Sequence, residues 1–296
     1  MQVLAIFGPT AVGKTGVAIA VAELLRERGE DPVAVNCDSI QVYRGLERLS
    51  GAATQEERSQ LEHRLLAFVD PSEEFSAGQY AERAHAEIDS LLDEGRRPIV
   101  VGGTGLYLRA ALSDLDLRPP VPAGVRADVE RELSERGPEV LHAELAPELA
   151  DGVHPNDRKR IARLTELSRA GIEPHEGAAG LWTAGLRRPT LLVGLAMDRE
   201  ELASRIDERV EAMVAAGARE EAERAERERV SRTARAALGF DELLADDTDG
   251  MKAAHRAYAR RQLTWMRRME GVELIDRTGR EDSDVAAEIV GRLDPD

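Results

Sequence analysis

The run Gly8-Pro9-Thr10-Ala11-Val12-Gly13-Lys14-Thr15 constrains this chain more than any other feature in it. It matches the pattern G-x-x-x-x-G-K-[ST] at every position. The apolar run Gln2–Phe7 precedes it and reads as a buried strand. From Thr15 to Arg28 apolar residues recur at helical spacing, with Gly29 as the stop. A strand that feeds a glycine loop and then a helix leaves backbone N–H groups unpaired at the loop. The positive end of the helix points at the same place, so the loop attracts phosphate. Lys14 is expected to reach the outer phosphates and the Thr15 hydroxyl to ligate Mg2+. Of the 40 Lys and Arg residues only Lys14, Lys159 and Lys252 are lysines, so a lysine at this position is itself a signal.

The same alternation continues along the chain. Pro32–Cys37 reads as a second strand ending at Asp38, 81–92 as a helix, and Ile99-Val100-Val101-Gly102-Gly103 as a third strand. Continuous apolar strands separated by helices predict a parallel α/β sheet. The texture then changes. Residues 113–188 are rich in proline, hold no strand pattern, and show helical period near 125–136 and 157–169. A strand returns at Thr190–Ala196, followed by a helix over 199–215 opened by Asp198, a charge-dense stretch over 205–229, and a last strand at Val272–Ile275. The expected fold is a P-loop NTPase-like α/β core, made of 1–112 and 189–296 with C-terminal helices, interrupted by a helical insert at 113–188.

Composition excludes several classes. Hydrophobic residues at 42% and 25 glycines suffice for a core. A single cysteine, Cys37, rules out a disulfide scaffold and reads as a small buried hydrophobe. No run approaches the 18 or so apolar residues of a membrane span, and the amino terminus lacks a basic leader, so a cytoplasmic chain with no membrane partner is expected. His63, His142 and His154 lack ligand spacing for a transition metal. The net charge, 40 − 56 = −16, argues against a general nucleic-acid coat protein. Two local runs reverse the sign: 154–169 carries five basic against two acidic side chains, and 254–269 carries Arg256, Arg260, Arg261, Arg267 and Arg268 with no acid. Trp265 reads as core and 219–229 as an exposed helix.

In an open α/β sheet ligands bind outside the carboxyl ends of the strands. Two polar clusters fall there: Asn36-Cys37-Asp38-Ser39-Ile40-Gln41 and Gly102-Gly103-Thr104-Gly105. Asp38 suits a general base, a second Mg2+ partner, or a cap on the following turn. The glycines around Thr104 fit either a tight turn or close approach of another chain or ligand.

GPTAVGKT, DSIQVYRG, DPSEEFSAGQY, GRRPIVVGGTGLYLRA, HPNDRKRIARLTEL and YARRQLTWMR follow one another in one order. This series resembles the tRNA dimethylallyltransferases over nearly the whole chain. The resemblance implies transfer of a dimethylallyl group from its diphosphate to N6 of the adenosine 3′ of a tRNA anticodon, releasing pyrophosphate. It implies that Thr10 to Thr15 contact the prenyl diphosphate and that Asp38 accepts the N6 proton. It further implies that Asp38, Ser39, Ile40 and Gln41 handle the flipped adenine and its neighbours, with Thr104 beside the reacting amine. Lys159, Arg160, Ile161, Ala162 and Arg163 of the insert, with Arg126, are implied to meet the anticodon stem-loop.

The chain departs from the family pattern in three places. The usual Gly-Thr-Ala-Lys-Pro-like loop is ERLSGAAT, Glu47 to Thr54, here. The family's pyrophosphate-contacting arginine, three residues before a Gly-Tyr pair, falls on Ala236, with Arg235 one position off and Arg232 further back. The stretch 171–188 is short. Two other readings use the same loop for ATP: a P-loop kinase of a nucleoside or small metabolite, and a nucleotide-dependent RNA-binding switch without catalysis. A monomer with Mg2+ as cofactor is expected.

Overall fold

The computed structural model describes residues 1–115, 121–172 and 185–293. Six strands form one all-parallel sheet: β1 (Val3–Phe7), β2 (Pro32–Asn36), β3 (His63–Arg64), β4 (Arg97–Gly102), β5 (Thr190–Ala196) and β6 (Val272–Asp276). Their order across the sheet is β3-β2-β4-β1-β5-β6. Every residue of β1 and β2 is buried, as strands covered on both faces must be. In register, Phe7 lies opposite Gly102 and Gly194, and Asn36 opposite Val101. The loops after β1, β2 and β4 therefore leave the sheet side by side.

The chain divides into two compact units, one of Met1–Asp114 with Thr183–Asp296, the other Leu115–Trp182. The larger unit holds the sheet. Its core packs Leu4, Ile6, Val193 and Leu195 of the strands against Val17, Val21 and Leu25 of the helix Lys14–Glu27 and against Val285 and Ile289 of the helix Asp282–Arg292. The smaller unit contains the helices Ala123–Arg136, Pro138–Glu144, Pro147–Ala150 and Arg158–Arg169, closed on Val129, Leu133, Leu141 and Ile161. Asp157 caps the last of these helices by accepting the Arg160 N–H at 3.1 Å. Residues 173–184, most of the stretch noted as short, lie outside the described residues.

The structure differs from the sequence reading at several elements. β2 stops at Asn36, leaving Cys37 buried one residue beyond it. β3 was not expected; two residues hold too little pattern to read, and only their pairing with Ala34 and Val35 defines them. The helix expected at 81–92 begins at Ala77, because Ser76 and Gln79 form a reciprocal capping box. The charge-dense stretch 205–229 is two helices, Arg199–Ala215 and Ala218–Glu228, parted by Gly217. The second is not simply exposed. Ala222 and Ala225 are buried, and Glu221, only 5% exposed, accepts the backbone N–H groups of Arg48 and Leu49 at 2.9 Å each. Among the described residues no helix is long and apolar enough to cross a membrane.

Ile161 is fully buried at the centre of the smaller unit's core. Truncation there leaves a cavity, and Ile161→Ala is expected to destabilise that unit by about 2–4 kcal/mol. Hydrogen exchange should speed up in Ala123–Arg136 and Arg158–Arg169 while exchange in β1 and β4 stays as in the parent protein. Unchanged protection in both helices would count against this core.

Candidate active site

Gly8, Pro9 and Val12 form the buried floor of the loop after β1; Thr10, Ala11, Gly13, Lys14 and Thr15 form its half-buried rim. Ala11 and Gly13 take left-handed backbone angles, φ 65° and 88°. The Lys14 ammonium folds back over the loop, donating to the carbonyls of Pro9 at 2.8 Å and Gly8 at 3.1 Å. Burial, with Arg209 nearby, lowers its pKa to about 8, although Asp38 opposes the shift. Behind the loop, Arg277 lies against Gly13 and pairs with Asp282.

Asp38 follows β2 and uses both carboxylate oxygens. Oδ1 accepts the N–H groups of Ile40 at 3.0 Å and Gln41 at 3.4 Å, so the carboxylate does cap the next turn. Oδ2 accepts the Thr104 hydroxyl at 3.3 Å. Thr104 is the N-cap of the helix Gly105–Leu112, yet its hydroxyl makes no capping bond and turns to Asp38 instead. The Ser39 N–H donates to the same hydroxyl oxygen at 3.3 Å. Asp38, Ser39, Ile40 and Gln41 are all half-buried. The Gln41 amide is held by the carbonyls of Ser50 and Gly51 at 3.3 Å each.

Three further residues join the site: Arg209 carries no mark in the sequence, while Gln262 and Tyr258 belong to the run YARRQLTWMR, which gives them no role. Arg209, from the helix Arg199–Ala215, donates to the Gly51 carbonyl at 2.8 Å. Its guanidinium lies so close that a Cβ on Gly51 would sit 2.1 Å from Nη2 and displace it, and the left-handed φ of 57° at Gly51 strains any side chain there. Arg209 lies within electrostatic range of both Asp38 and Lys14. Gln262 bridges the loops after β1 and β4, accepting the Thr10 N–H and donating to the Gly103 carbonyl, both at 2.8 Å. Tyr258, one turn earlier in the helix Thr248–Arg268, brings its hydroxyl to 3.4 Å from Thr104 Oγ1. Burial, with Asp38 nearby, pushes its phenol up.

Arg235 is not part of this group: it pairs with Glu226 and Asp241 and lies over the Phe240 ring. A different arginine, Arg209, is in electrostatic range of Lys14. Among the described residues no cluster of three or more His, Cys, Asp or Glu could hold a metal ion. The oxygen donors near the loop are the Thr15 hydroxyl and Asp38, a set that suits a Mg2+ arriving on phosphate with its own waters.

In the smaller unit, Lys159 and Arg160 are exposed, while Ile161 is core and Ala162 packs beside it. Arg163 and Arg126 flank the buried Glu166 carboxylate at 3.4 and 3.7 Å. Arg158 serves structure, donating to the Leu133 carbonyl at 3.0 Å and pairing with Glu130. In the larger unit Arg256, one of the five arginines of the run 254–269, is paired with Asp207. Trp265 is half-buried and lies over Gly105.

From position 41 to 269 the chain matches the family model described as IPP transferase. It is 39% identical over 288 residues to a tRNA dimethylallyltransferase of Anaeromyxobacter dehalogenans, covering 93% of each chain. A tRNA dimethylallyltransferase of Kineococcus radiotolerans is also 39% identical, over 90% of this chain and 88% of that one. The solved structure of a tRNA isopentenylpyrophosphate transferase from Bacillus halodurans superposes with a TM-score of 0.71 at 30% identity, over 99% of this chain and 95% of that one. A eukaryotic dimethylallyltransferase acting on tRNA gives a TM-score of 0.74 at 27% identity, over 94% and 74%.

With three lysines in the chain, competitive amine labelling can titrate each one. Lys14 should become reactive near pH 8, because burial and Arg209 favour its neutral form. Lys252, raised by its pairing with Glu211, should react only at higher pH. Inorganic pyrophosphate should protect Lys14 and move its midpoint upward, since a bound anion favours the ammonium. Arg209→Met should move it upward as well. Lysines that titrate together would contradict this electrostatic picture.

Proposed function

The chain belongs to the IPP transferase family, and we propose that it transfers a dimethylallyl group from dimethylallyl diphosphate to N6 of the adenosine 3′ of the anticodon in tRNA. The observation that carries this reading is the pairing of opposites in one site. Lys14 stands at the phosphate loop with Arg209 in electrostatic range, and both feel the Asp38 carboxylate, which holds the Thr104 hydroxyl.

The chemistry needs both halves. The N6 lone pair of adenine is delocalised into the ring and is a weak nucleophile. Transfer forms the N6–C1 bond, breaks the C1–O bond of the diphosphate, and releases one proton. Lys14, Arg209 and the loop N–H groups stabilise the charge that builds on the departing pyrophosphate. Asp38 takes the N6 proton, and Thr104 fixes the orientation of that carboxylate. A Mg2+ ion bound with the diphosphate would meet the Thr15 hydroxyl and help neutralise the leaving group. A base inside the anticodon loop must be turned out before its N6 can enter such a site, with Ser39, Ile40 and Gln41 lining its approach. Lys159 and Arg160, with Arg126 and Arg163, supply the phosphate contacts of the insert to the anticodon stem-loop. The protein works in the cytoplasm as a monomer. No relative named above is a kinase or a non-catalytic RNA-binding protein, so those readings are not favoured.

Incubation with dimethylallyl diphosphate, Mg2+ and unmodified tRNA should yield a nucleoside heavier by one prenyl group. ATP turnover without tRNA, and no such nucleoside, would overturn the reading. Asp38→Asn keeps the shape and one acceptor oxygen but loses basicity; kcat should fall by roughly 10²–10⁴ with a smaller change in tRNA affinity. Replacing Lys159 and Arg160 with glutamine should weaken tRNA binding and flatten its salt dependence by about 0.7–0.9 log–log units for each phosphate no longer neutralised. Pyrophosphate affinity should be untouched by that pair. An unchanged salt slope would move the RNA-binding face elsewhere.

A further inference from the structure

The Gln262 amide joins the two loops on which the transfer depends. It is 3% exposed. Its Oε1 accepts from the N–H of Thr10, in the diphosphate loop, and its Nε2 donates to the carbonyl of Gly103, the residue before Thr104. A Cβ on Gly103 would lie 2.2 Å from that nitrogen, so the amide fills the space the glycine leaves. Tyr258 in the same helix adds a second, longer contact, its hydroxyl 3.4 Å from the Gly103 carbonyl.

Strand register fixes where the two loops leave the sheet, but not how far apart they run beyond it. At that level the Gln262 side chain touches both backbones. A neutral planar group with one acceptor and one donor suits the task. It bonds an N–H on one side and a carbonyl on the other without adding charge beside the diphosphate.

We infer that Gln262 is a positioning residue for the transfer: it sets the gap between the diphosphate loop and the Thr104–Asp38 pair, and so the distance over which N6 meets the prenyl carbon. This rests on the prenyl-transfer reading above. Reacting atoms must approach to about 3–3.5 Å, and a displacement of roughly 1 Å can reduce the rate about a hundredfold. The Thr10 N–H, occupied by Gln262, then acts as an anchor of the loop rather than a phosphate donor.

Two variants test it. Gln262→Met keeps length and apolar bulk but makes neither bond. Its kcat should fall about 10- to 100-fold. Calorimetric affinities for inorganic pyrophosphate and for tRNA should each stay within about threefold, the sign of lost alignment rather than lost binding. Gln262→Glu is the sharper probe. Its carboxylate can accept from Thr10 but meets the Gly103 carbonyl without a proton to share. The protonated acid restores both bonds, and burial raises the pH at which it forms. The rate of this variant relative to the parent protein should therefore climb as pH falls. Parent-like kcat in both variants overturns the inference. So does a Gln262→Glu rate ratio that ignores pH, even if Gln262→Met does not fold. Loss of pyrophosphate affinity in folded Gln262→Met would instead make the residue part of the binding loop. If the parent protein itself makes no prenylated nucleoside, the functional reading fails rather than this one.

Discussion

The parallel pairing of β1 with β4, and of β4 with β2, is the constraint on which the site rests. Phe7 faces Gly102 and Asn36 faces Val101, so three polypeptide loops emerge at one level of the sheet. Each brings one kind of group: the first backbone N–H donors and Lys14, the second Asp38, the third Thr104. A slip of one residue in such a pairing would turn every side chain of a strand to the opposite face. β1 and β2 are buried on both faces, so what resists such a slip is the fit of individual side chains in the core, and the core and the geometry of the site rest on the same strands.

What could be read from the sequence follows from how local each signal is. Gly8 to Thr15, Asp38 and Thr104 sit in short segments whose composition states their role, because a phosphate loop and a strand end are local structures. Arg209, Gln262 and Tyr258 lie on long helices whose surface is full of other charged and polar residues. Nothing near Arg209 in sequence separates it from Arg205, which pairs with Glu201 within its own helix. Only the path of the chain across the sheet brings Arg209 into electrostatic range of Lys14. The same limit applies to Glu221, which looks like one more solvated acid until the helix Glu47–Ser50 is placed against it.

The imbalance between arginine and lysine has a physical logic in the folded protein. Arginines here act as forks. Arg96 spans Asp31 and Glu62, Arg187 spans Asp89 and Asp114, and Arg235 spans Glu226 and Asp241. Such pairs tie surface segments together while leaving an acidic total. An ammonium is compact and can give up its proton when buried, which a guanidinium does not do. Lys14 stands where that difference counts.

The segment Glu47 to Thr54 departs from the family's usual wording, yet it is tied to the site and to the helix Ala218–Glu228. It does so by main chain: the carbonyls of Ser50 and Gly51 receive Gln41 and Arg209, and the N–H groups of Arg48 and Leu49 reach Glu221. Main-chain atoms are the same for every residue. The side chains of this segment can therefore change while these contacts persist, except at the buried Leu49 and at Gly51, whose left-handed backbone favours glycine. Divergence in this stretch leaves in place the backbone by which it holds Gln41 and Arg209.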